Sequence, residues 1–93
     1  MVVGVCKVSL ALHGARSLKS KRQVIKSVKD RVRARFNISI AEVDHHDLYQ
    51  SALLGLCVVS ADAAHADSQL QHAVNFIAEQ AEVTGVQHEL ITL

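Results

Sequence analysis

Residues 49–60 read YQSALLGLCVVS, and from Ala52 to Val59 every position is apolar or glycine. A strand with one wet face alternates apolar and polar residues, whereas a strand covered on both faces is apolar at both parities. This segment is therefore a central strand. Ala52, Leu54, Leu56 and Val58 form one of its rows, and Leu53, Gly55, Cys57 and Val59 form the other.

The neighbouring segments follow from that anchor. Asp44-His45-His46-Asp47 is a polar hairpin connection, preceded by a strand over 38–43, ISIAEV. Upstream, Ser17 is an N-cap for a helix running to about Arg35. Its inward face comprises Leu18, Val24, Ile25, Val28, Val32 and Phe36, at the 3–4 spacing of one helix side. Residues 2–12, VVGVCKVSLAL, form the first strand. Cys6, Val8, Leu10 and Leu12 point to its core side; Val3, Val5, Lys7, Ser9 and Ala11 point away. Downstream, Ser60 or Asp62 caps a second helix to about Ala81, with Ala66, Leu70, Ala73, Val74, Ile77 and Ala81 inward. Gly85 closes a loop before a last strand over Val86–Leu93.

The order β-α-β-β-α-β predicts an α+β fold of ferredoxin-like, split β-α-β type: a four-stranded antiparallel sheet with two helices on one face. Right-handed crossovers place the strands in the order 4-1-3-2. No proline or low-complexity tract interrupts the chain, so residues 1–93 read as a single domain.

Apolar residues make up 49% of the chain, which excludes a disordered polar segment. No apolar run approaches the length of a membrane span, so no membrane contact is expected. Cys6 and Cys57 are too few for a disulfide scaffold, and a cytoplasmic location is expected.

Charge is sharply partitioned. All ten Lys and Arg lie in residues 1–35 with one acid, Asp30, a balance of +9. Residues 36–93 hold eight acids and no Lys or Arg, a balance of −8 that brings the total to +1. Asymmetry of this kind points to a polyanion partner. On the first helix, Lys19, Arg22, Lys26, Lys29 and Arg33 follow spacings of 3, 4, 3 and 4. They form one stripe about 21 Å long, read as unpaired along its own helix. Phosphates of a nucleic acid strand follow one another at about 7 Å or less, so such a stripe covers several. The nucleic-acid-contacting set is Arg16, Lys19, Lys21, Arg22, Lys26, Lys29 and Arg33, joined by the amides at the helix start. Aromatic stacking is not expected: Phe36, Tyr49 and Phe76 all lie away from the middle of the strands.

Two helices cover only one sheet face. Val3, Val5, Leu53, Cys57 and Val59 are then left on the other as an apolar patch, the expected interface of a homodimer. A ligand pocket is not expected there, because small residues on a flat sheet enclose little volume.

Signals of catalysis are thin. Asp44-His45-His46-Asp47 holds ligand-type residues, but neighbours in a short turn rarely converge on one metal. His65 and His72 are about 10.5 Å apart along a helix, too far to chelate one ion. No phosphate loop, nucleophile elbow or zincin motif occurs. A small-molecule or metal-dependent enzyme built on the Asp44–Asp47 hairpin is the last-ranked reading, and no cofactor or metal is expected.

Taken together, Ser17-Leu18-Lys19 with Lys21-Arg22, Arg35-Phe36-Asn37, Ala41-Glu42-Val43-Asp44, and Leu54-Gly55 through Val58-Val59-Ser60 resemble the YlxP-like family of small uncharacterised bacterial proteins. The resemblance runs from Val3 to about Leu90. It implies a ferredoxin-like fold and no established reaction. It also implies gene neighbourhoods shared with transcription-termination, translation-initiation and ribosome-maturation factors. Relatives often carry Trp where Tyr49 stands, which implies a hairpin-packing role for that residue. The expected function is a non-catalytic RNA- or ribosome-associated protein contacting phosphates through the first helix. The alternative is a homodimeric adaptor whose basic helix meets an acidic protein partner.

Overall fold

The computed structural model describes all 93 residues. Six elements follow in the order β1 (Val2–Ala11), α1 (Leu18–Arg35), β2 (Ser39–Asp44), β3 (Ser51–Ser60), α2 (Ala63–Ala78) and β4 (Glu82–Thr92). The sheet order is β2-β3-β1-β4, and every neighbouring pair is antiparallel. The ferredoxin-like arrangement read from the segment order is the one observed.

The two central strands are those with the richest apolar content. β1 and β3 pair over ten positions, from Val2 opposite Ser60 to Ala11 opposite Ser51. One face of this pair carries Cys6, Val8 and Leu10 with Ala52, Leu54, Leu56 and Val58, all buried. The helices add Ile25, Val28 and Val32 from α1 and Ala66, Leu70, Ala73, Val74 and Ile77 from α2. Small residues set the helix–sheet distance. A Cβ at Gly4 stands 2.9 Å from Leu70 Cδ1 and 3.0 Å from Val58 Cγ1, so α2 rests directly on the backbone of β1.

Several boundaries differ from expectation. β3 begins at Ser51, not residue 49, because Tyr49 belongs to the turn and is 44% exposed rather than packed under the hairpin. Helix α2 ends at Ala78, and Asp62 rather than Ser60 caps it, its side chain accepting from the Ala64 amide. The last strand starts at Glu82, four residues early. Gly85 lies inside it opposite Ser9, where the register shifts, and closes no loop. Extended pairing to β1 overrides the turn preference of glycine there.

Val24 does not face inward; it is exposed beside the groove between α1 and the end of α2. Its place on the buried stripe is taken by Lys21, which with Ile25, Val28 and Val32 makes a 4-3-4 spacing.

Candidate nucleic-acid interface

Helix α1 starts at a capping box. The Ser17 side chain accepts from the Ser20 amide, and the Ser20 hydroxyl accepts from the Ser17 and Arg16 amides. The Arg16, Ser17 and Ser20 amides at the helix start are therefore taken by the protein's own hydroxyls, which leaves only those of Leu18 and Lys19 to meet an anion there.

Lys21 also leaves the expected set. It is 1% exposed, and its ammonium donates to the backbone oxygens of His45 at 2.6 Å and Leu48 at 2.5 Å. Glu42 Oε2 stands 2.8 Å from the same nitrogen and has no other partner. The reason is geometric. Lys21 lies at the centre of the helix face that meets the sheet, and Glu42 shares the helix-side parity of β2 with Ile40. A charge taken out of water needs a counter-charge and hydrogen bonds; Glu42 supplies the first to Lys21 and the two turn carbonyls supply the second, while Glu42 Oε2 itself is buried without a hydrogen bond. Two signals marked this in the sequence: the 4-3-4 spacing through Lys21, and an acid in phase with Ile38 and Ile40.

The same lysine shapes the turn after β2. His45 sits at φ 62°, in the left-handed region, where histidine is several-fold enriched. Its amide donates to Asp44 Oδ1, its ring Nδ1 lies 3.0 Å from Ser51 Oγ, and its carbonyl accepts from Lys21 and from the Leu48 amide. The Asp44–Asp47 turn is thus tied to the N-terminal half of α1, and its histidine is spent on holding the turn. No group of three His, Cys, Asp or Glu side chains is arranged to hold a metal.

The remaining basic residues form a real surface. Arg16, Lys19, Arg22, Lys26 and Arg33 are exposed, and Lys29 is half-buried. The stripe is not free of internal pairing. Lys26 Nζ donates to Asp30 Oδ2 at 2.7 Å across one helical turn, and Arg33 Nη1 lies 3.9 Å from the other Asp30 oxygen. The hydrogen bond from Lys26, with the charges of Lys26, Arg33 and Lys29, holds the Asp30 carboxyl below its usual range. Arg33 also reaches β2, where Nη2 donates to the Ile40 carbonyl oxygen at 2.9 Å. Lys19, Arg22 and Lys29 make no ion pair. On the opposite flank, the Arg35 guanidinium stacks 4.7 Å from the centre of the Phe76 ring. The charge of the acidic half sits elsewhere: Glu82, for example, opens β4 and pairs with His13 at 2.7 Å.

On the other side of the sheet, Val3, Val5, Leu53 and Cys57 are half-buried and Val59 is exposed. The registers Val3–Val59, Val5–Cys57 and Ser9–Leu53 place them on one face. That face is not flat. Val43, bulged out of register on β2, has its Cγ1 only 2.8 Å from where a Cβ on Gly55 stands, and so lies over the strand. A trough of about 590 Å³ runs beside it, bordered by Val5, Lys7, Ala41, Cys57 and Glu89. Cys6 is on the opposite, buried face, where burial pushes its thiol up.

Residues 3–90 match the family described as protein of unknown function (DUF503). The chain belongs to this family. It is 32% identical over 82 residues to the uncharacterized protein YlxP of Bacillus subtilis (strain 168), covering 88% of this chain and 89% of that one. Among solved structures it is similar to a putative antibiotic biosynthesis monooxygenase from Deinococcus radiodurans (TM-score 0.54, 13% identity, 100% of this chain and 92% of that one). A de novo designed protein with a ferredoxin fold is also similar (TM-score 0.52, 15% identity, 100% and 87%). At such identity the structural likenesses establish the fold alone. Within the DUF503 fold, the Lys21 and Glu42 that carried the family resemblance are joined as a buried pair rather than offered to a ligand. No helix is long and apolar enough to cross a membrane.

Proposed function

We propose that this DUF503 protein is a non-catalytic RNA-binding protein, working in association with the ribosome, that contacts phosphates through the outer flank of α1. The observation that carries the reading is the exposure of Lys19, Arg22, Lys26 and Arg33, with the half-buried Lys29 in line between them, along one helix whose only acid is Asp30. Like charges three and four residues apart destabilise a helix by about 0.2–0.5 kcal/mol per pair. A helix serving stability alone places acids among them, and in its first turn this one has none. Contacts of this kind go to the backbone, so recognition is weakly sequence-specific.

The test is a triple variant, Lys19→Gln, Arg22→Gln and Lys29→Gln, which spares the buried Lys21 and the Lys26–Asp30 pair. Its melting temperature should match the wild type. Its affinity for single-stranded RNA should fall, and the slope of log K against log salt should shrink by about 2, near 0.7 per lost phosphate contact. Unchanged RNA affinity and slope sink the reading. Displacement of bound RNA by acidic peptides at equal charge concentration transfers the surface to an acidic protein partner.

A further inference from the structure

The uncovered face of the sheet carries its own complement. Across three strands at one end, Val59, Val3 and Ile91 stand opposite one another as a ridge of β-branched residues. Val59 is 63% exposed and Ile91 39%. The next outward-facing row is Cys57, Val5 and Glu89; then come Gly55, Lys7 and Gln87; then Leu53, Ser9 and Gly85. Between the ends of β1, β3 and β4 this face carries one cation, Lys7, and one anion, Glu89; on β2, Asp44 stands opposite Leu53 at the far edge. Lys7 and Glu89 are diagonal neighbours on β1 and β4, within reach of each other. Both are exposed, and neither makes an ion pair within the chain.

We propose that this face binds a second copy of the chain, with Lys7 of each copy paired to Glu89 of the other. A two-fold contact is isologous: if Lys7 meets Glu89 of the copy, Glu89 meets Lys7 of the copy, and the patch needs equal charges of both signs. It has them. An RNA or an acidic protein is a poor occupant, because the face has no excess of cations. Register supplies a second argument. A two-fold axis across the strands, midway between the Lys7 and Val5 rows, brings the Val59–Val3–Ile91 ridge over the Leu53–Ser9–Gly85 row. Two of those three are small, so bulk meets space. Area supplies a third. Ten residues at about 3.3 Å and four strands at about 4.8 Å give a footprint near 600 Å². Two such faces bury about 1,200 Å², the lower bound for a stable specific interface. The inference is independent of the RNA reading, since it uses the sheet face opposite α1.

The experiment is a charge swap followed by sedimentation velocity and light scattering at about 100 μM protein. Wild type should be a dimer. Lys7→Glu and Glu89→Lys each set like charges against each other twice, and each should weaken self-association by at least about a hundredfold. An equimolar mixture of the two variants restores both cross pairs and should give a heterodimer. Both sites are exposed, so circular dichroism should show wild-type folding in each. The Cys57 thiol, on this face, should react with a thiol reagent faster in either variant than in the wild type. A monomeric wild type overturns the proposal. So does a dimer indifferent to both swaps, which uses some other surface. Variants that are monomeric alone and stay monomeric when mixed overturn the Lys7–Glu89 pairing.

Discussion

Lys21 shows how one residue can be read two ways. By composition it is one of ten cations in a basic segment; by position it is a core residue. Its ammonium donates to two backbone oxygens in the β2–β3 turn and forms an ion pair with Glu42. Removing one member of a buried pair strands the other, at a cost of about 3–5 kcal/mol, whereas replacing both by apolar residues of similar size is often close to neutral. Lys21→Ala should therefore lower stability by about that amount in urea titration, with the loss in midpoint rather than slope. The double variant Lys21→Met, Glu42→Leu should recover much of it. Neither should change RNA affinity, because the lysine never reaches the surface. A Lys21→Ala protein with wild-type stability and weakened RNA binding returns Lys21 to the contact surface.

At the scale of the element, α1 combines a buried stripe, a capping box and an exposed basic flank. Asp30 is the one feature of the flank that opposes a polyanion, since it neutralises Lys26 and lies 3.9 Å from Arg33. Asp30→Asn should raise RNA affinity a fewfold by releasing Lys26. The carboxyl is held below its ordinary range, so Asp30 stays ionised until the medium is more acidic than an unperturbed aspartate requires. Its attraction for Lys26 is thus present at neutral pH and lost only as pH falls through that lowered value. Binding measured for wild type and Asp30→Asn at neutral pH checks this; equal affinities show that Lys26 makes no phosphate contact. Elements of this kind were legible in the sequence wherever apolar periodicity was long. The β-α-β-β-α-β order, both helices and the two central strands needed nothing else. What escaped was set by distant pairing. β4 begins four residues early because β1 offers a ladder to Glu82 and Val83, which no local signal reports. The capping box was half visible through Ser17, while its other half, the satisfied Arg16 and Ser17 amides, depends on the hydroxyl of Ser20 turning back. Curvature was invisible as well: the trough on the open face exists because Val43 is bulged over Gly55.

For the whole molecule the decisive quantity is the distribution of charge and not its total. The chain is close to neutral, at +1 with a sequence pI near 7.9, so a uniform sphere of this composition would ignore ion exchangers of either sign near pH 8. The molecule is not uniform. Its cations crowd onto α1 with a single acid, Asp30, and the other acids lie on β2 (Glu42, Asp44), in the turn after it (Asp47), on α2 and its caps (Asp62, Asp67, Glu79) and on β4 (Glu82, Glu89). At about 0.1 M salt the screening length is about 10 Å. That is short against a long axis of 42 Å, so a charged surface responds to the patch it touches and is screened from the rest. The protein should therefore be retained at pH 8 and about 0.1 M salt by both a cation exchanger and an anion exchanger. The variant with Lys19, Arg22 and Lys29 changed to Gln should lose the first retention and keep the second. Flow-through of the wild type on the cation exchanger under these conditions means that α1 presents no coherent field, and an α1-led contact with phosphates fails with it. Retention that vanishes equally on both columns in the triple variant places the governing charge somewhere other than α1.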